Sequence, residues 1–276
     1  MIEIYKTKNG QLLFRKSFCA YLDILGFSQK IASNDLRFFS LYLNTLYKEL
    51  DFIEKEHDLS GKKGHKLFEL KIFTDNFVFG HPWYDQYGES ELGNIFEVLS
   101  HIQFTFVKAN IFIRGAISIS NLYMDENIVL GPAIIESYKL ESEKAINPRI
   151  VLSEDVVNAV KEHINYYSAH KSSPQFTEYL IDIDGFCFVN YLYSIFFHSK
   201  PPVKKMKTEI GAHQQVIIEN LKEHANNFKL FNKYSWVANY HNYFCQTFLQ
   251  DLYPRTSISS LMIDENLISK TISRIV

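Results

Sequence analysis

Residues 18–28 read FCAYLDILGFS and residues 70–79 read LKIFTDNFVF; in each stretch an apolar run typical of a buried strand contains an aspartate, Asp23 or Asp75. A carboxylate in apolar surroundings is unstable as an anion unless a cation or hydrogen-bond donors compensate its charge. Two such residues, separated by a helical stretch, suggest neighbouring strands that hold ligands for a hard divalent cation. The alternative is that each aspartate ends its strand and faces water.

The composition is that of a globular chain, large enough for one large domain or for one domain with an extension. Of its 276 residues, 46% are hydrophobic and 15% are aromatic, which supports a substantial core. The formal net charge of −2 provides no general attraction to nucleic acid or to an anionic membrane, although a local basic pocket can still hold a triphosphate. We therefore expect neither a nucleic-acid partner nor a membrane partner.

The cysteines and the N-terminal residues favour a reducing environment. Cys19, Cys187 and Cys245 are widely spaced in apolar segments, which predicts buried thiols rather than a disulfide framework or a zinc site. Residues 1–6 lack the continuous apolar core of a signal peptide, and no run approaches the ~18 apolar residues of a membrane-spanning helix. The cytoplasm is the default expectation.

Apolar periodicity predicts the order strand, helix, strand, strand, helix, strand, helix, strand over the first part of the chain. The predicted strands cover residues 12–25, 66–73, 76–81, 110–119 and 149–152, and the predicted helices cover residues 28–58, 89–108 and 132–143. The tight connection at residues 74–76 places Asp75 at a hairpin tip or just before it. The order is the βαββαβ pattern of an α+β sandwich, with helices against one sheet.

The chain changes character after about residue 180. Residues 201–205, PPVKK, predict an exposed linker, and residues 208–227 and 229–250 predict two amphipathic helices. The sequence therefore divides into a domain at residues 12–155 and a mainly helical extension at residues 180–276 that packs on it.

Three histidines, His213, His224 and His241, fall in the predicted C-terminal helices beside aromatic residues. They lack the spacing of a metal site. We interpret them as core or interface residues.

The two aspartate stretches, together with a third region, resemble the catalytic domain of class III nucleotidyl cyclases. Residues 22–28, LDILGFS, are similar to the first metal motif of that family, and residues 71–75, KIFTD, are similar to the second. Residues 129–142, VLGPAIIESYKLES, followed by residues 148–153, PRIVLS, are similar to the family's glycine, helix, Glu-Ser and closing strand. Order and spacing agree over residues 14–153, and the resemblance implies a cyclase-like sandwich with a ferredoxin-like core.

The variant forms of these motifs, such as IRGAI at residues 113–117, look most like the pyrimidine nucleotide cyclases of bacterial anti-phage signalling. The resemblance implies an enzyme that cyclises CTP or UTP to the 3′,5′-cyclic monophosphate as a second messenger. It also implies a homodimer with active sites at the subunit interface.

The resemblance implies a two-ion site in which Asp23 and Asp75 bridge Mg²⁺ or Mn²⁺ and the backbone carbonyl of Ile24 completes one coordination shell. The ions would assist removal of the ribose 3′-hydroxyl proton and neutralise the departing pyrophosphate. The β- and γ-phosphates would meet backbone amides at the following helix start, those of Leu25, Gly26 and Phe27.

Two lysines occupy positions that carry substrate contacts in the resembled family. Lys71 lies four residues before Asp75, where related enzymes place a base-reading residue. Lys139 matches the helix position where many class III cyclases have an arginine that stabilises charge at the α-phosphate, and a lysine supplies that charge without the bidentate fork. The alternative for each is an ordinary solvated lysine.

Two arginines are candidate phosphate ligands in the catalytic set. Arg114 stands alone in a strongly apolar strand and needs an anionic partner if buried; a triphosphate, Asp75 or Glu136 would serve. Arg149, in the PRIVLS segment, is a candidate of the same kind.

The sequence departs from the purine cyclases at two positions. Ile135 stands where many cyclases have a ribose-orienting asparagine, and Ile128 stands about where a base-reading polar residue is usual. Two alternatives therefore stay open, a purine nucleotide cyclase and a catalytically weakened nucleotide-binding sensor. A palm-type polymerase would also use paired aspartates, but it would want a basic template path that this composition lacks.

Overall fold

The computed structural model describes residues 4–7, 9–64, 66–84 and 87–268, and in these residues the strands form one eight-stranded sheet. The strands are β1 (Arg15–Ile24), β2 (Glu69–Phe73), β3 (Asn76–Pro82), β4 (Ile113–Met124), β5 (Val129–Leu130), β6 (Ile150–Leu152), β7 (Tyr179–Ile181) and β8 (Cys187–Val189). The order is β2-β3-β1-β4-β6-β8-β7, with β5 paired to β4. All pairs are antiparallel except β4 with β6. The α+β class predicted from the sequence is confirmed at this level.

The helices cover both faces of this sheet. They are α1 (Phe27–Ala32), α2 (Leu36–His57), α3 (Glu89–Lys108), α4 (Pro132–Lys144), α5 (Glu154–Tyr166), α6 (Val203–Glu223), α7 (Phe228–Phe244) and α8 (Gln250–Leu252). Within the described ranges, none of them combines the length and apolar character that a bilayer-spanning helix needs.

The single helix predicted at residues 28–58 is broken into α1 and α2. Asn34 adopts a left-handed conformation with φ of 51°, which interrupts the helical hydrogen bonds. Asp35 then accepts a hydrogen bond from the Phe38 N–H and starts α2 as its N-cap. The break turns the chain just after the β1–α1 connection.

The two faces of β1 have different roles because side chains alternate along a strand. One set enters the main core against α2, α3 and α5: Phe18, Ala20, Leu22 and Ile24. The other set, which includes Cys19, Tyr21 and Asp23, faces the side on which α4 packs. The candidate site therefore lies on the α4 side of the sheet, at the C-terminal end of β1.

The predicted boundary at residue 180 falls inside β7, so the C-terminal part contributes two strands to the same sheet. It also shares a second core with the first part, in which Phe104 of α3 and Phe112 pack with residues of α6 and α7. The linker predicted at residues 201–205 was wrong, because α6 begins at Val203, although residues 202–205 are exposed as expected. Pro201 is buried and accepts a hydrogen bond from Tyr253, and Pro202 caps α6, which contains Lys204 and Lys205.

The histidines of the C-terminal helices occupy packing positions. His213 and His241 are fully buried, stacked with ring centroids 5.1 Å apart, and their Nδ1 atoms are 2.9 Å apart. His241 Nε2 contacts the Leu261 carbonyl and His213 Nε2 contacts the Tyr191 hydroxyl, both at 2.7 Å. The prediction that these two are core residues is confirmed.

Candidate active site

Asp23 and Asp75 meet at one end of the sheet. Asp23 lies near the end of β1, paired with Asn76 of β3 on one side and with Arg114 of β4 on the other. Asp75 belongs to the two-residue turn of the β2–β3 hairpin, and its carbonyl accepts a hydrogen bond from the Ile24 N–H at 3.2 Å. The hairpin is thereby tied to the end of β1, and the Asp75 carboxyl is near enough to raise the pKa of Asp23.

The turn that carries Asp75 is held by polar contacts. Thr74 adopts a left-handed conformation with φ of 55°, and its Oγ1 donates to Asp75 Oδ1 at 2.7 Å. The Asn76 amide donates to the same oxygen at 3.1 Å. On the outer side of the turn, the Tyr42 hydroxyl donates to the Thr74 carbonyl at 2.8 Å. The Asp75 carboxylate is therefore oriented before any ligand binds.

The electrostatics around Asp23 combine opposing effects. Burial raises its pKa, hydrogen bonding and charge from Arg114 lower it, and the nearby Asp75 raises it again; the net direction is upward. Arg114 Nε donates to Asp23 Oδ2 at 3.0 Å. Burial and a second carboxyl nearby both destabilise the ionised form of Asp23. A bound cation would stabilise that form.

Arg114 has a second acidic neighbour that the sequence reasoning did not single out. Its Nε lies 2.8 Å from Oε1 of Glu141 in α4, a side chain that is only 3% exposed. Burial raises the pKa of Glu141 to about 7, with Arg114 lowering it and Asp23 raising it. The partner of Arg114 is thus Asp23 with Glu141, in place of the Asp75 or Glu136 expected from the sequence.

A sequence signal for Glu141 existed. Ala133, Ser137 and Glu141 recur at four-residue spacing, and all three are buried on the face of α4 that packs on the sheet. The Ser137 hydroxyl donates to the Cys19 carbonyl at 2.8 Å, which fixes α4 against β1. Glu141 occupies the next position on this buried face, and a buried carboxylate needs a cationic partner.

The two candidate lysines lie at different places. Lys71 is half-buried on β2 opposite Val78, which in turn pairs with Tyr21 of β1, two residues before Asp23. It is on the same face of the sheet as Asp23 because residues two apart share a face. Lys139 is exposed on α4. The described contacts of this single chain do not bring Lys139 to the aspartates.

Arg149 is held inside the fold. Its guanidinium is 0% exposed and forms ion pairs with Asp182 and Asp184, which connect β7 with β8. Trp236 of α7 donates to Asp182 at 2.6 Å and covers this pair. Asp182 and Asp184 neutralise the charge of Arg149 inside the fold. Arg149 is therefore not positioned to bind a phosphate, in contrast to the expectation from the sequence.

The β1–α1 connection offers less to a phosphate than the sequence suggested. The Leu25 N–H is already used, because it donates to the Phe112 carbonyl at 2.9 Å. Gly26 adopts a left-handed conformation with φ of 78°, and a Cβ placed there would meet open space. Phe27 is buried against Phe38. The backbone amides of Gly26 and Phe27 therefore remain candidates for phosphate binding, whereas that of Leu25 does not.

The donor chemistry fits a hard cation in part. Asp23 and Asp75 provide adjacent carboxylate oxygens, which are the ligands that Mg²⁺ and Mn²⁺ prefer. In the part of the chain that the structure describes, no group of three or more His, Cys, Asp or Glu side chains is arranged to hold a metal. Any ion held by the two aspartates therefore needs backbone, water or substrate oxygens to complete its shell.

Comparisons with known proteins give distant structural similarities. No protein-family profile and no curated protein matches the chain. A crystal structure described as a class III adenylyl cyclase-like ATP-binding protein from Pseudomonas aeruginosa is similar over 55% of this chain and 37% of that chain, with 12% sequence identity and a TM-score of 0.38. The chain thus spans little more than a third of that structure. A similarity of this size assigns neither a family nor an activity to this chain.

Proposed function

We propose that this protein is a metal-dependent nucleotidyl cyclase, which converts a pyrimidine nucleoside triphosphate, CTP or UTP, to the 3′,5′-cyclic monophosphate and pyrophosphate. The observation that carries the proposal is the placement of Asp23 near the end of β1 beside Asp75 of the β2–β3 turn, which the Ile24 N–H ties to β1 through the Asp75 carbonyl. The sequence resemblance assigns these same two residues to metal binding. A second-messenger role in bacterial anti-phage defence and a cytoplasmic location belong to the same proposal.

The residues of this chain would have separate roles. Asp23 and Asp75, with the Ile24 carbonyl, would hold two Mg²⁺ or Mn²⁺ ions, which supply charge neutralisation at the reacting phosphate and the ribose hydroxyl. Arg114 favours the ionised form of Asp23 and orients its carboxylate through the contact at 3.0 Å. The amides of Gly26 and Phe27 would bind the phosphate tail, and Lys71 would contact the base.

The choice of a pyrimidine rests on the departures at two positions. Ile128 and Ile135 are 51% and 55% exposed, so both side chains are presented to the surroundings of the chain. Apolar side chains at these positions cannot form hydrogen bonds with the polar edge of a purine. A site without such hydrogen bonds has little means of selecting a purine over a pyrimidine. We therefore propose the smaller pyrimidine ring as the base, in line with the sequence resemblance.

The proposed assembly is a homodimer in which α4 of one chain reaches the site of its partner. Lys139 is exposed on α4, and Ile135 and Tyr138 beside it are more than half exposed. Exposed apolar side chains with a charged side chain at their edge are typical of a protein–protein interface. Sedimentation of the protein as a monomer at working concentration would contradict this assembly.

A second candidate function is nucleotide sensing without turnover. Arg114 already contributes a positive charge to Asp23 and Glu141 in this chain, at 3.0 and 2.8 Å. A site balanced by its own arginine has less need of two metal ions than a site of bare carboxylates. A sensor of this kind would bind a nucleotide and release it unchanged.

The test is incubation of the purified protein with each of the four ribonucleoside triphosphates and Mn²⁺, with mass spectrometric separation of the products. We expect cyclic CMP or cyclic UMP together with pyrophosphate. Preferred turnover of ATP or GTP would return the protein to a purine cyclase, and binding without any product would favour the sensor.

A further inference from the structure

A cavity of about 440 Å³ lies beside the candidate active site, between the β1–α1 connection and the C-terminal helices. Leu25 and Gly26 line one wall, and Lys233 and Tyr234 of α7 line another. Gly26 follows Asp23 by three residues, so the Cα atoms of the two residues are at most about 11 Å apart. A cavity of this volume falls in the ~300–1,000 Å³ range of small-molecule sites.

Lys233 is a half-buried cation on the wall of the cavity. Burial lowers its pKa, and Arg114 and Lys229 lower it further, while Asp23 and Glu141 oppose this effect. Both acids already contact Arg114, at 3.0 and 2.8 Å. Among the described residues, no carboxylate lies within 4.0 Å of the Lys233 ammonium. Its charge therefore stays available to an anion in the cavity.

The other charges on the cavity wall favour an anionic ligand. Arg37 and Lys30 line the cavity from the α1–α2 side, together with Asp35. The Asp35 carboxylate is engaged by the Phe38 N–H at 3.0 Å and lies 3.6 Å from the Lys30 ammonium. Glu223 of α6 is the remaining carboxylate of the wall. Cations therefore outnumber carboxylates around the space, and two of the three cations, Lys30 and Arg37, come from the first part of the chain.

We infer that Lys233 binds the polyphosphate of a nucleoside triphosphate, so that the C-terminal part of the chain completes the nucleotide site from within the same subunit. The inference rests on the proposed nucleotide-binding function and identifies a side chain whose positive charge binds the polyphosphate. The contact of the Tyr234 ring with Phe112, with centroids 4.9 Å apart, holds α7 against the segment that leads into β4. Lys233 is thereby held at the cavity wall by a packed helix.

The test compares Lys233→Met, which keeps the side-chain length and removes the charge, with Lys229→Met, an exposed lysine one turn earlier on the same helix. Binding is measured by calorimetry with 3′-deoxy-CTP and 3′-deoxy-UTP, which lack the hydroxyl needed for cyclisation, and with CMP and UMP. Each titration is made with Mg²⁺ and with EDTA. We expect Lys233→Met to weaken triphosphate binding about tenfold or more, because a charge-assisted contact is lost, and to leave monophosphate binding within about twofold. Lys229→Met should retain wild-type affinity for both.

Lys233→Arg is the conservative variant and should recover most of the triphosphate affinity because it restores the positive charge. Equal triphosphate affinity of the wild type and Lys233→Met, in proteins of equal thermal stability, overturns the inference while the cyclase proposal stands. Triphosphate binding that depends on Lys233 without any cyclic product supports the inference and overturns turnover. A wild-type protein that binds none of these nucleotides overturns both.

Discussion

At the scale of single residues, the candidate site is defined by carboxyl groups whose burial is incompletely compensated. Asp23 contacts Arg114, and its pKa is raised first by burial and further by the nearby Asp75. Such an arrangement costs stability and is retained where it serves a ligand. The removal of these charges should therefore affect chemistry more than folding.

We expect Asp23→Asn and Asp75→Asn each to reduce metal-dependent cyclisation by more than about a hundredfold, because a neutral amide is a poor ligand for a hard cation. The measurement is product formation from the preferred triphosphate with Mn²⁺, together with the thermal unfolding midpoint. Asp51→Asn, at an exposed position of α2, is the matched control and should retain activity. Full activity in either site variant would contradict the metal-ligand assignment.

A second residue-scale prediction concerns Glu178, a buried carboxyl outside the candidate site. Burial raises its pKa to about 8, with Glu97 and Glu89 contributing, and its Oε2 has no hydrogen-bond partner among the described residues. Because the pKa is higher in the folded than in the unfolded protein, its contribution favours folding below about pH 4.5 and is lost as the pH rises towards 8.

Glu178→Gln should therefore raise the free energy of unfolding by about 1–3 kcal/mol at pH 9 and change it little near pH 4.5. Urea unfolding at both pH values provides the measurement. Glu162→Gln, at an exposed position of α5, should show no such difference between the two pH values. An equal effect of Glu178→Gln at both would show that ionisation is not the cause.

At the scale of elements, the site depends on the close approach of β1 and β4. A Cβ at Gly115 would lie 2.4 Å from Leu22 Cδ2 and 2.6 Å from the Tyr21 carbonyl oxygen. Because the second atom belongs to the backbone, rotation of a side chain cannot relieve the clash. The glycine therefore allows the strand pairing that sets Arg114 opposite Asp23.

We expect Gly115→Ala to lower the free energy of unfolding by more than about 2 kcal/mol, through strand displacement. Gly211→Ala is the matched substitution, because a Cβ at Gly211 in α6 meets no atom within 4 Å. It should raise stability by about 0.5–1 kcal/mol through helix propensity. The free energies of unfolding of both variants are measured by chemical denaturation. A Gly115→Ala protein as stable as the wild type would show that the close approach of β1 and β4 does not require glycine at position 115.

At the scale of the whole molecule, the C-terminal part is continuous with the first part. β7 and β8 extend the sheet, and Phe104 and Phe112 share a core with α6 and α7. Trp236 is fully buried, 5.2 Å from the Phe188 ring, whereas Trp83 stacks on Phe18 at 5.1 Å. The fluorescence of Trp83 therefore monitors the first part of the chain, and that of Trp236 monitors the C-terminal part.

We expect one cooperative unfolding transition, because separation of the two parts would expose their shared apolar core. In each of the variants Trp83→Phe and Trp236→Phe, the fluorescence of the remaining tryptophan should give the same urea midpoint as far-UV circular dichroism. Comparison within a variant removes the effect of the substitution itself. A fluorescence midpoint that differs from the circular dichroism midpoint would mean that the parts unfold separately.

The sequence by itself determined the local elements and the two residues that stand out from them. The helix at Glu89–Lys108 and the hairpin around Asp75 follow from periodicity and turn chemistry, which act over a few neighbours. Asp23 and Asp75 could be recognised because a charge within an apolar strand is an anomaly that is visible in the sequence alone. Short strands such as β7 and β8, with three residues each, carry too little pattern to be predicted.

Only the tertiary structure decided which charges meet. Arg114 and Arg149 look alike in the sequence, each beside an apolar strand, yet Arg114 contacts Asp23 and Glu141 while Arg149 is neutralised by Asp182 and Asp184. Lys233 lies over two hundred residues from Asp23 and reaches the site only because α7 packs over that end of the sheet. The physical reason is that an ion pair depends on distance and burial, which the packing of elements sets, whereas sequence patterns record only which face of an element is apolar.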